Sequence, residues 1–413
     1  MGFYKKYDNG LRLIVNKLEG FQSVSAGVLV KTGSINEMTE ENGISHFIEH
    51  VMFKGTSKRS SFEISDYIDR IGAQINAFTS KELTCYYTKS TKDRLNDSLE
   101  VLADIFFDST FKKEELEKEK GVIIEEINMS EDTPEDLLFD LLAKSYYGSA
   151  GLGQTILGPS KNIRHFNQNN IKSYMDKYYT ADNVVISIAG NVDEEQTEKT
   201  IEELFAKRFS NKKSAEQVKS KSGKPAHLHL SKRIEQSHIG FALKGLKMGD
   251  EKSDALSIAN AVLGGGMSSR LFQKIREVLG LAYSVYSYPS AYKNDGVIEI
   301  YAGVNTDYRD LATNAIAEEV RKFKKDGVTE QEFLRAKEQL KSSTIFGRES
   351  TSSQMLVHGK YMIYLGKQFD YDDRIDKLDA ITLNDVNEII EKHFDIDKAS
   401  TATVGPKRTS LKI

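Results

Sequence analysis

The second half of the chain repeats the order of strands and helices found in the first half. The strand pattern of DNVVISIAGNV (182–192) returns in KASTATVGPK (398–407), and the charged helical segment 111–127 resembles 328–344. In each pair the two segments lie about 215 residues apart, whereas the repeating units of a solenoid are only about 20 to 50 residues long. The 413 residues are therefore predicted to form two similar domains rather than an array of small repeats.

Within each half, short β-branched runs alternate with longer amphipathic segments. Long helices between sequential strands favour an α+β fold, in which each domain is a mainly antiparallel sheet with helices packed on one face. Segment 207–224 has seven Lys or Arg residues, one Glu and few apolar side chains. That composition predicts a solvated linker, with a basic docking patch as the alternative. The predicted division is an N-terminal domain at 1–208, a linker at 209–224 and a C-terminal domain at 225–413.

Composition excludes several classes of function. The 57 Lys and Arg residues nearly balance 61 Asp and Glu residues, for a net charge of −4, so no nucleic acid or anionic membrane is expected as a partner. The sequence shows neither a signal-peptide core nor an apolar run of about 18 residues. We therefore expect a cytoplasmic protein. Cys85 is the single cysteine, which excludes an internal disulfide and a cysteine-based zinc site.

The strongest chemical motif is the H-x-x-E-H run formed by His46, Glu49 and His50 in GISHFIEHVMF. Residues at i, i+3 and i+4 share one face of a helix, so both imidazoles can bind the same zinc ion. The carboxylate beside them can act as a general base. Taken by itself, the motif has an alternative interpretation: two surface histidines and a neighbouring glutamate on a solvated helix.

A zinc hydrolase needs a third protein ligand. Glu126 follows His50 by 76 residues in the helical segment EELEKEKGVIIEEI, and Glu125 competes with it for this role. Glu119 lies two turns before Glu126 on the same predicted helix face. This relation favours Glu126 over Glu125.

With these motifs in place, the sequence resembles the inverted-zincin family M16, which includes pitrilysin, insulysin and the β subunit of mitochondrial processing peptidase. The resemblance covers essentially the whole chain and is closest to the short bacterial members. It rests on the H-x-x-E-H run, on Glu126 in VIIEEI, on the Asn76-Ala77-Phe78-Thr79 segment, and on REVLGLAY between Arg276 and Tyr283.

The resemblance implies a role for each matching residue. One Zn²⁺ per chain would be held by His46, His50 and Glu126, with Glu49 as the general base. Glu119 would orient a ligand or the attacking water. Arg276 would grip the substrate and Tyr283 would stabilise the oxyanion. An extended peptide would add to the strand of Asn76, Ala77, Phe78 and Thr79.

The second half lacks its own metal motif. At an offset near 217 residues, Glu126 falls on Ser343, while His46 and His50 fall on Leu263 and Met267. Because the large family members close two such halves around a chamber, we expect a homodimer with composite active sites. In that arrangement, Arg276 and Tyr283 of one subunit would complete the zinc site of the other.

The sequence therefore predicts a zinc-dependent endopeptidase or oligopeptidase that hydrolyses extended, unstructured peptides. The alternative is a non-catalytic peptide-binding or scaffolding subunit of a processing-peptidase-like complex. The complete H-x-x-E-H motif of His46, Glu49 and His50, with the distant Glu126, favours the enzyme.

Overall fold

The computed structural model describes residues 2–406 and divides into two compact units. The first unit comprises the residues up to Ile127, Thr155–Val218 and Ile345–Tyr371. The second comprises Asn128–Gln154, Lys219–Thr344 and the residues from Asp372 onward. Each unit contains one sheet with its own apolar core.

Most strands of the two sheets form where the sequence is rich in β-branched and aromatic residues. Six belong to the first sheet: β1 (Phe3–Lys6), β2 (Arg12–Lys17), β3 (Ser23–Val30), β4 (Gln74–Thr79), β5 (Thr84–Thr91) and β6 (Val184–Gly190). Five belong to the second: β7 (His227–Ser231), β8 (Gln236–Lys244), β9 (Ala282–Ala291), β10 (Gly296–Asn305) and β11 (Ser400–Gly405).

Fourteen α-helices connect and cover these strands in the described part of the chain. They are α1 (Ile44–Val51), α2 (Ser61–Arg70), α3 (Leu95–Asp108), α4 (Lys113–Asp132), α5 (Pro134–Tyr147), α6 (Ser160–His165), α7 (Gln168–Tyr178), α8 (Glu194–Leu204), α9 (Ser253–Gly264), α10 (Arg309–Asp326), α11 (Glu330–Gly347), α12 (Thr351–Leu365), α13 (Tyr371–Ala380) and α14 (Leu383–His393). A π-helical segment, Phe272–Val278, precedes β9. Between residues 2 and 406, no helix combines the length and apolar character needed to cross a bilayer.

In the first unit the strand order is β1-β2-β6-β3-β5-β4, with only β2 and β6 paired in parallel. One face is strongly apolar, because Val24, Ala26 and Val28 of β3 alternate toward a core shared with α1 and α3. Strand β4 lies at the open edge of the sheet. This edge borders α1, the helix that carries the H-x-x-E-H motif.

The opposite face of this sheet is covered by α12, a helix from the second half of the chain. Ser187 Oγ donates a 2.7 Å hydrogen bond to the Met355 carbonyl. Two glycines allow the close approach. A Cβ atom at Gly27 would lie 2.5 Å from Met355 Sδ, and one at Gly359 would lie 2.7 Å from Leu29 Cδ2. Larger side chains at these positions would force the helix away from the sheet.

The second unit has the strand order β7-β11-β8-β10-β9, again with one parallel pair, β7 and β11. Its apolar face packs against α9, α10 and α14. Helix α5, from the first half of the chain, packs on β8 and β11. Gly240 fits beneath Leu142 of this helix, and Ser400 Oγ donates a hydrogen bond to the Ser145 carbonyl.

The α+β class and the two similar domains are confirmed by these sheets and helices. The division of the chain differs from the contiguous domains predicted at 1–208 and 225–413. Each unit contains a helical segment from the other half, α12 in the first and α5 in the second. The predicted linker forms neither helix nor strand, and its residues up to Val218 belong to the first unit, where the Val218 amide donates a 3.1 Å hydrogen bond to Asn36 Oδ1.

Candidate metal centre

Helix α1 is only eight residues long, so its neighbours must hold it in place. Phe47, Ile48 and Val51 are buried in the core of the first unit. The helix starts after Gly43, whose φ of 100° requires glycine. Phe47 also packs edge-on against Phe166 at 5.6 Å between ring centroids. The apolar side of α1 is thereby fixed, which leaves His46, Glu49 and His50 beside Glu126.

The start of α1 is capped by the buried carboxylate of Glu37. Its Oε2 accepts hydrogen bonds from the Gly43 amide at 2.7 Å and the Asn42 side chain at 2.9 Å, and its Oε1 accepts from the Ser45 amide at 2.9 Å. Burial raises the pKa of Glu37, although these hydrogen bonds act in the opposite direction. Ser45 Oγ also lies 2.9 Å from the Tyr174 hydroxyl. These contacts fix the rotation of α1.

Helix α4 brings the distant glutamates to α1. Leu116, Ile123 and Ile127 are buried along one side of α4 and attach it to the core of the first unit. Glu119 is buried next to this apolar side, whereas the Glu126 side chain is 43% exposed. Glu125, the competing residue, is exposed. The position of Glu126 on α4 therefore brings its carboxylate, not that of Glu125, to the two histidines.

His46, His50 and Glu126 form the one cluster of three potential metal ligands between residues 2 and 406. Glu126 Oε2 lies 3.6 Å from His46 Nε2 and 3.4 Å from His50 Nε2. Both distances exceed those of good hydrogen bonds. They match the separation of about 3.4 Å between ligand atoms in a zinc tetrahedron with bonds of about 2.0 to 2.1 Å. The donor set of two imidazoles and one carboxylate therefore fits zinc.

Two neighbouring groups orient His50. Its Nδ1 lies 2.9 Å from Glu119 Oε1, and the imidazole N–H donates because an ionised carboxylate can only accept. Lys54 Nζ binds the other oxygen of Glu119 at 2.8 Å. Burial alone raises the pKa of Glu119, but the hydrogen bonds from His50 and Lys54 outweigh it and lower that pKa. The ionised Glu119 directs His50 Nε2 toward Glu126.

The two imidazoles differ in their environment. Burial and the neighbouring His50 lower the pKa of His46 to about 4, so His46 is neutral at pH 7. Burial also acts to lower the pKa of His50, but the hydrogen bond to Glu119 and the nearby negative charge of Glu126 raise it to about 9. The metal-free site therefore carries a proton on His50, which a bound cation would displace.

Glu49 lies close to His50 and Glu126 but joins no ion pair in the described residues. Its Oε2 is buried without a hydrogen-bond partner. Burial raises the pKa of the Glu49 carboxyl, with the nearby Thr79 hydroxyl and His50 acting in the opposite direction. A half-buried carboxyl with a raised pKa suits proton transfer near neutral pH.

The predicted peptide-binding segment, Asn76 to Thr79, lies in the edge strand β4. Each of its residues pairs with β5 on one side only, from Asn76 opposite Tyr87 to Thr79 opposite Thr84. The Ala77 amide donates a 2.8 Å hydrogen bond to Asn76 Oδ1. This amide consequently has no strand partner and is satisfied by a local side chain, which an incoming peptide carbonyl can replace.

Arg276 and Tyr283 lie in the second unit. The Arg276 guanidinium carbon is 4.8 Å from the centroid of the Tyr283 ring, and that ring is 76% exposed. Both residues border a cleft of about 420 Å³ that also includes Gly264, Gly265 and Met267. Their contribution to the metal site of the first unit stays a prediction.

Comparison with known proteins identifies the family. A model described as Insulinase (Peptidase family M16) matches residues 12–160, and a model described as Peptidase M16 inactive domain matches residues 165–340. An uncharacterized zinc protease of Bacillus subtilis (strain 168) is 44% identical over 397 residues, which are 96% of this chain and 97% of that protein. The chain belongs to peptidase family M16. A second uncharacterized zinc protease, from Streptomyces coelicolor, is 34% identical to this M16 member over 404 residues, covering 96% and 88% of the two chains.

Solved structures support the same fold. A protease from Helicobacter pylori superposes with a TM-score of 0.92 at 22% identity, covering 98% of this chain and 99% of that one. The structure described as the peptidase M16 inactive domain from Pseudomonas fluorescens also gives a TM-score of 0.92, at 20% identity, covering 100% and 99%. These superpositions confirm the fold, and the family models and the 44% identical relative confirm the predicted membership of M16.

Two supporting residues of this M16 site were not identified from the sequence. Glu37 precedes α1 in an irregular loop, so no periodic pattern marks it as the helix cap. Lys54 follows α1 by only three residues, and its salt bridge with Glu119 depends on how α4 packs. The charge-rich composition of α4, KEELEKEKGVIIEEINMSED, gives no sign of which cation binds Glu119.

Proposed function

We propose that this M16 member is a zinc-dependent endopeptidase or oligopeptidase that hydrolyses extended, unstructured peptides. The observation that carries the proposal is the cluster of His46, His50 and Glu126, whose ligand atoms lie within 4.8 Å of one another, with Glu126 Oε2 3.6 and 3.4 Å from the two imidazole nitrogens. The relatives from Bacillus subtilis and Streptomyces coelicolor are both described as zinc proteases, which supports the same metal and reaction class.

When bound, zinc would lower the pKa of water and polarise a peptide carbonyl. Glu49 Oε2, which has no hydrogen-bond partner, is free to accept the proton of the attacking water. The same carboxyl then donates this proton to the nitrogen of the breaking C–N bond, so that the products leave as a carboxylate and an amine. Glu119 keeps His50 Nε2 aimed at the ligand cluster throughout.

The substrate would bind as an added strand along the edge of β4. Backbone hydrogen bonds to the Ala77 amide and its neighbours hold a peptide in extended form without reading most of its side chains. The small Ala77 side chain leaves room for the substrate backbone beside Glu49. A folded protein cannot present such a free strand, which accounts for the proposed preference for unstructured peptides.

The competing function is a non-catalytic peptide-binding or scaffolding subunit. An assay with quenched fluorescent peptides distinguishes the peptidase from the non-catalytic subunit. Hydrolysis is measured first with protein stripped of metal and then with the same protein reloaded with Zn²⁺. The proposal predicts no hydrolysis without metal and restoration at one equivalent of Zn²⁺ per chain. Peptide binding without hydrolysis in the reloaded protein would support the non-catalytic alternative.

We further propose a homodimer in which Arg276 and Tyr283 of one subunit complete the zinc site of the other. The support is that the second unit carries the exposed Tyr283 beside the half-buried Arg276 in a cleft but no metal cluster in its described residues. Mixed dimers of Glu49→Gln and Tyr283→Phe subunits should recover part of the activity that each homodimer lacks. Verified mixed dimers without recovery would contradict composite sites.

A further inference from the structure

The two faces of β4 differ in the side chains they would offer a bound peptide. Ala77 pairs with Tyr86, which is buried in the core on the α1 side of the sheet. Because side chains alternate along a strand, Phe78 points to the opposite face, which is the face covered by α12. There its ring lies 6.3 Å from the Tyr87 ring and 5.9 Å from Lys360 Nζ of α12.

This side of the sheet is positively charged next to the open edge. Lys360 is exposed, and Lys89 of β5 is half-buried on the same face as Tyr87. Neither ammonium group has a carboxylate within salt-bridge distance in residues 2–406. We call Phe78, Tyr87, Lys89 and Lys360 the cationic groove.

An added strand places every second side chain over this groove. A peptide residue opposite Asn76 or Phe78 would have its Cβ about 4.5 to 5.5 Å from the Cβ of its partner on β4. A glutamate side chain is long enough to extend from there past the Phe78 ring to Lys360 Nζ. The peptide residues at the intervening positions point to the α1 side of the sheet and contact neither lysine.

We propose that the cationic groove selects peptides with an acidic side chain at alternate positions of the bound strand, with Lys360 as the specificity-determining residue. This inference rests on the proposed function, since it takes β4 as the substrate edge. The attraction is electrostatic. Lys360 repels a peptide lysine at the same position, and the half-buried Phe78 ring beside it reduces solvent screening of both effects.

The experiment measures binding and cleavage separately. Fluorescence polarisation would report binding of a neutral, unstructured peptide series to zinc-loaded Glu49→Gln protein, with one Glu, Gln or Lys moved along the peptide. We expect Glu to bind about three- to tenfold more tightly than Lys at every second position only. The preference should weaken as ionic strength rises.

Variants identify the lysine responsible. In the Glu49→Gln background, Lys360→Glu should reverse the preference at those positions, and Lys360→Arg should retain it. Lys172→Glu, on the exposed side of α7, makes the same change in net charge and should leave the preference as it was. A missing charge preference, or one that survives Lys360→Glu, would overturn the inference.

Cleavage of the same peptides by wild-type protein tests the proposed function independently. Hydrolysis without any dependence on peptide charge would overturn the role of Lys360 and leave the peptidase intact. Charge-selective binding that Lys360→Glu reverses, without hydrolysis by the wild type, would support the cationic groove and reject the peptidase. Failure of the proposed charge preference and failure of the proposed peptidase activity therefore give different results.

Discussion

Glu119 Oε1 lies 2.9 Å from His50 Nδ1, and the other nitrogen of that ring faces Glu126 Oε2 at 3.4 Å. A carboxylate behind a metal-binding imidazole fixes both its tautomer and its orientation. Lys54 holds the second oxygen of Glu119, so the carboxylate itself cannot rotate freely. The ligand cluster thus depends on a chain of contacts from Lys54 to Glu126.

Replacing Glu119 by Gln should weaken zinc binding about 10- to 100-fold, because the amide orients His50 less firmly and leaves Lys54 without its partner. Competition with a chromophoric chelator would measure the affinity. Glu115→Gln, on the first turn of the same helix, is the control and should bind zinc like the wild type. Equal affinities for Glu119→Gln and wild type would rule out an orienting role.

The choice between Glu125 and Glu126 is tested by two neighbouring substitutions of identical chemistry. Glu126→Gln removes the carboxylate that lies beside both histidines. Zinc affinity should fall by more than roughly 100-fold, the largest loss expected for a residue that only orients a metal ligand. Glu125 is exposed, so Glu125→Gln should retain the metal. Elemental analysis of both purified proteins would decide, and metal loss in Glu125→Gln alone would reverse the assignment.

The H-x-x-E-H motif could be located from the sequence because its geometry is local. Helical periodicity alone places His46, Glu49 and His50 on one face, and the apolar residues between them determine which face is buried. Glu126 needed the family resemblance, since a separation of 76 residues carries no geometric information until α4 is packed beside α1. Glu37 has neither a periodic position nor a motif and became visible only in the structure.

The exchange of α5 and α12 between the two units could not be predicted either. Amphipathic patterns show which side of a helix is apolar, but they do not show which of two similar sheets it covers. The deciding features are small residues in contact across the packed layers. Gly27 and Gly359 let α12 approach the first sheet, and Gly240 lies beneath Leu142 of α5. These contacts join residues far apart in sequence.

The second unit contains an ion pair that should make stability depend on pH. Arg270 binds Glu332 through two hydrogen bonds of 2.8 and 2.7 Å, and the Thr329 amide and hydroxyl donate to the same carboxylate at 2.9 Å each. The Arg270 hydrogen bonds, with those from Thr329, lower the pKa of Glu332 to about 2 despite its partial burial.

Because this folded-state pKa lies below the unfolded value of about 4.5, the ionised carboxylate stabilises the fold above that pH. The contribution is lost as the pH falls from about 4.5 toward about 2. Allowing for solvent screening, Glu332→Gln should lower the free energy of unfolding by about 1 to 2 kcal/mol at pH 7. Urea midpoints of both proteins should converge on acidification. A difference that grows as the pH falls would contradict this origin.

The most direct test of the central claim compares zinc content and peptide hydrolysis in wild type and Glu49→Gln. Glu49 is outside the ligand set, so the variant should retain about one Zn²⁺ per chain. It should lose about 10²- to 10⁴-fold in kcat, because the amide cannot accept the proton of the attacking water. Wild-type protein that binds no zinc, or a Glu49→Gln variant that hydrolyses peptides at the wild-type rate, would contradict the account.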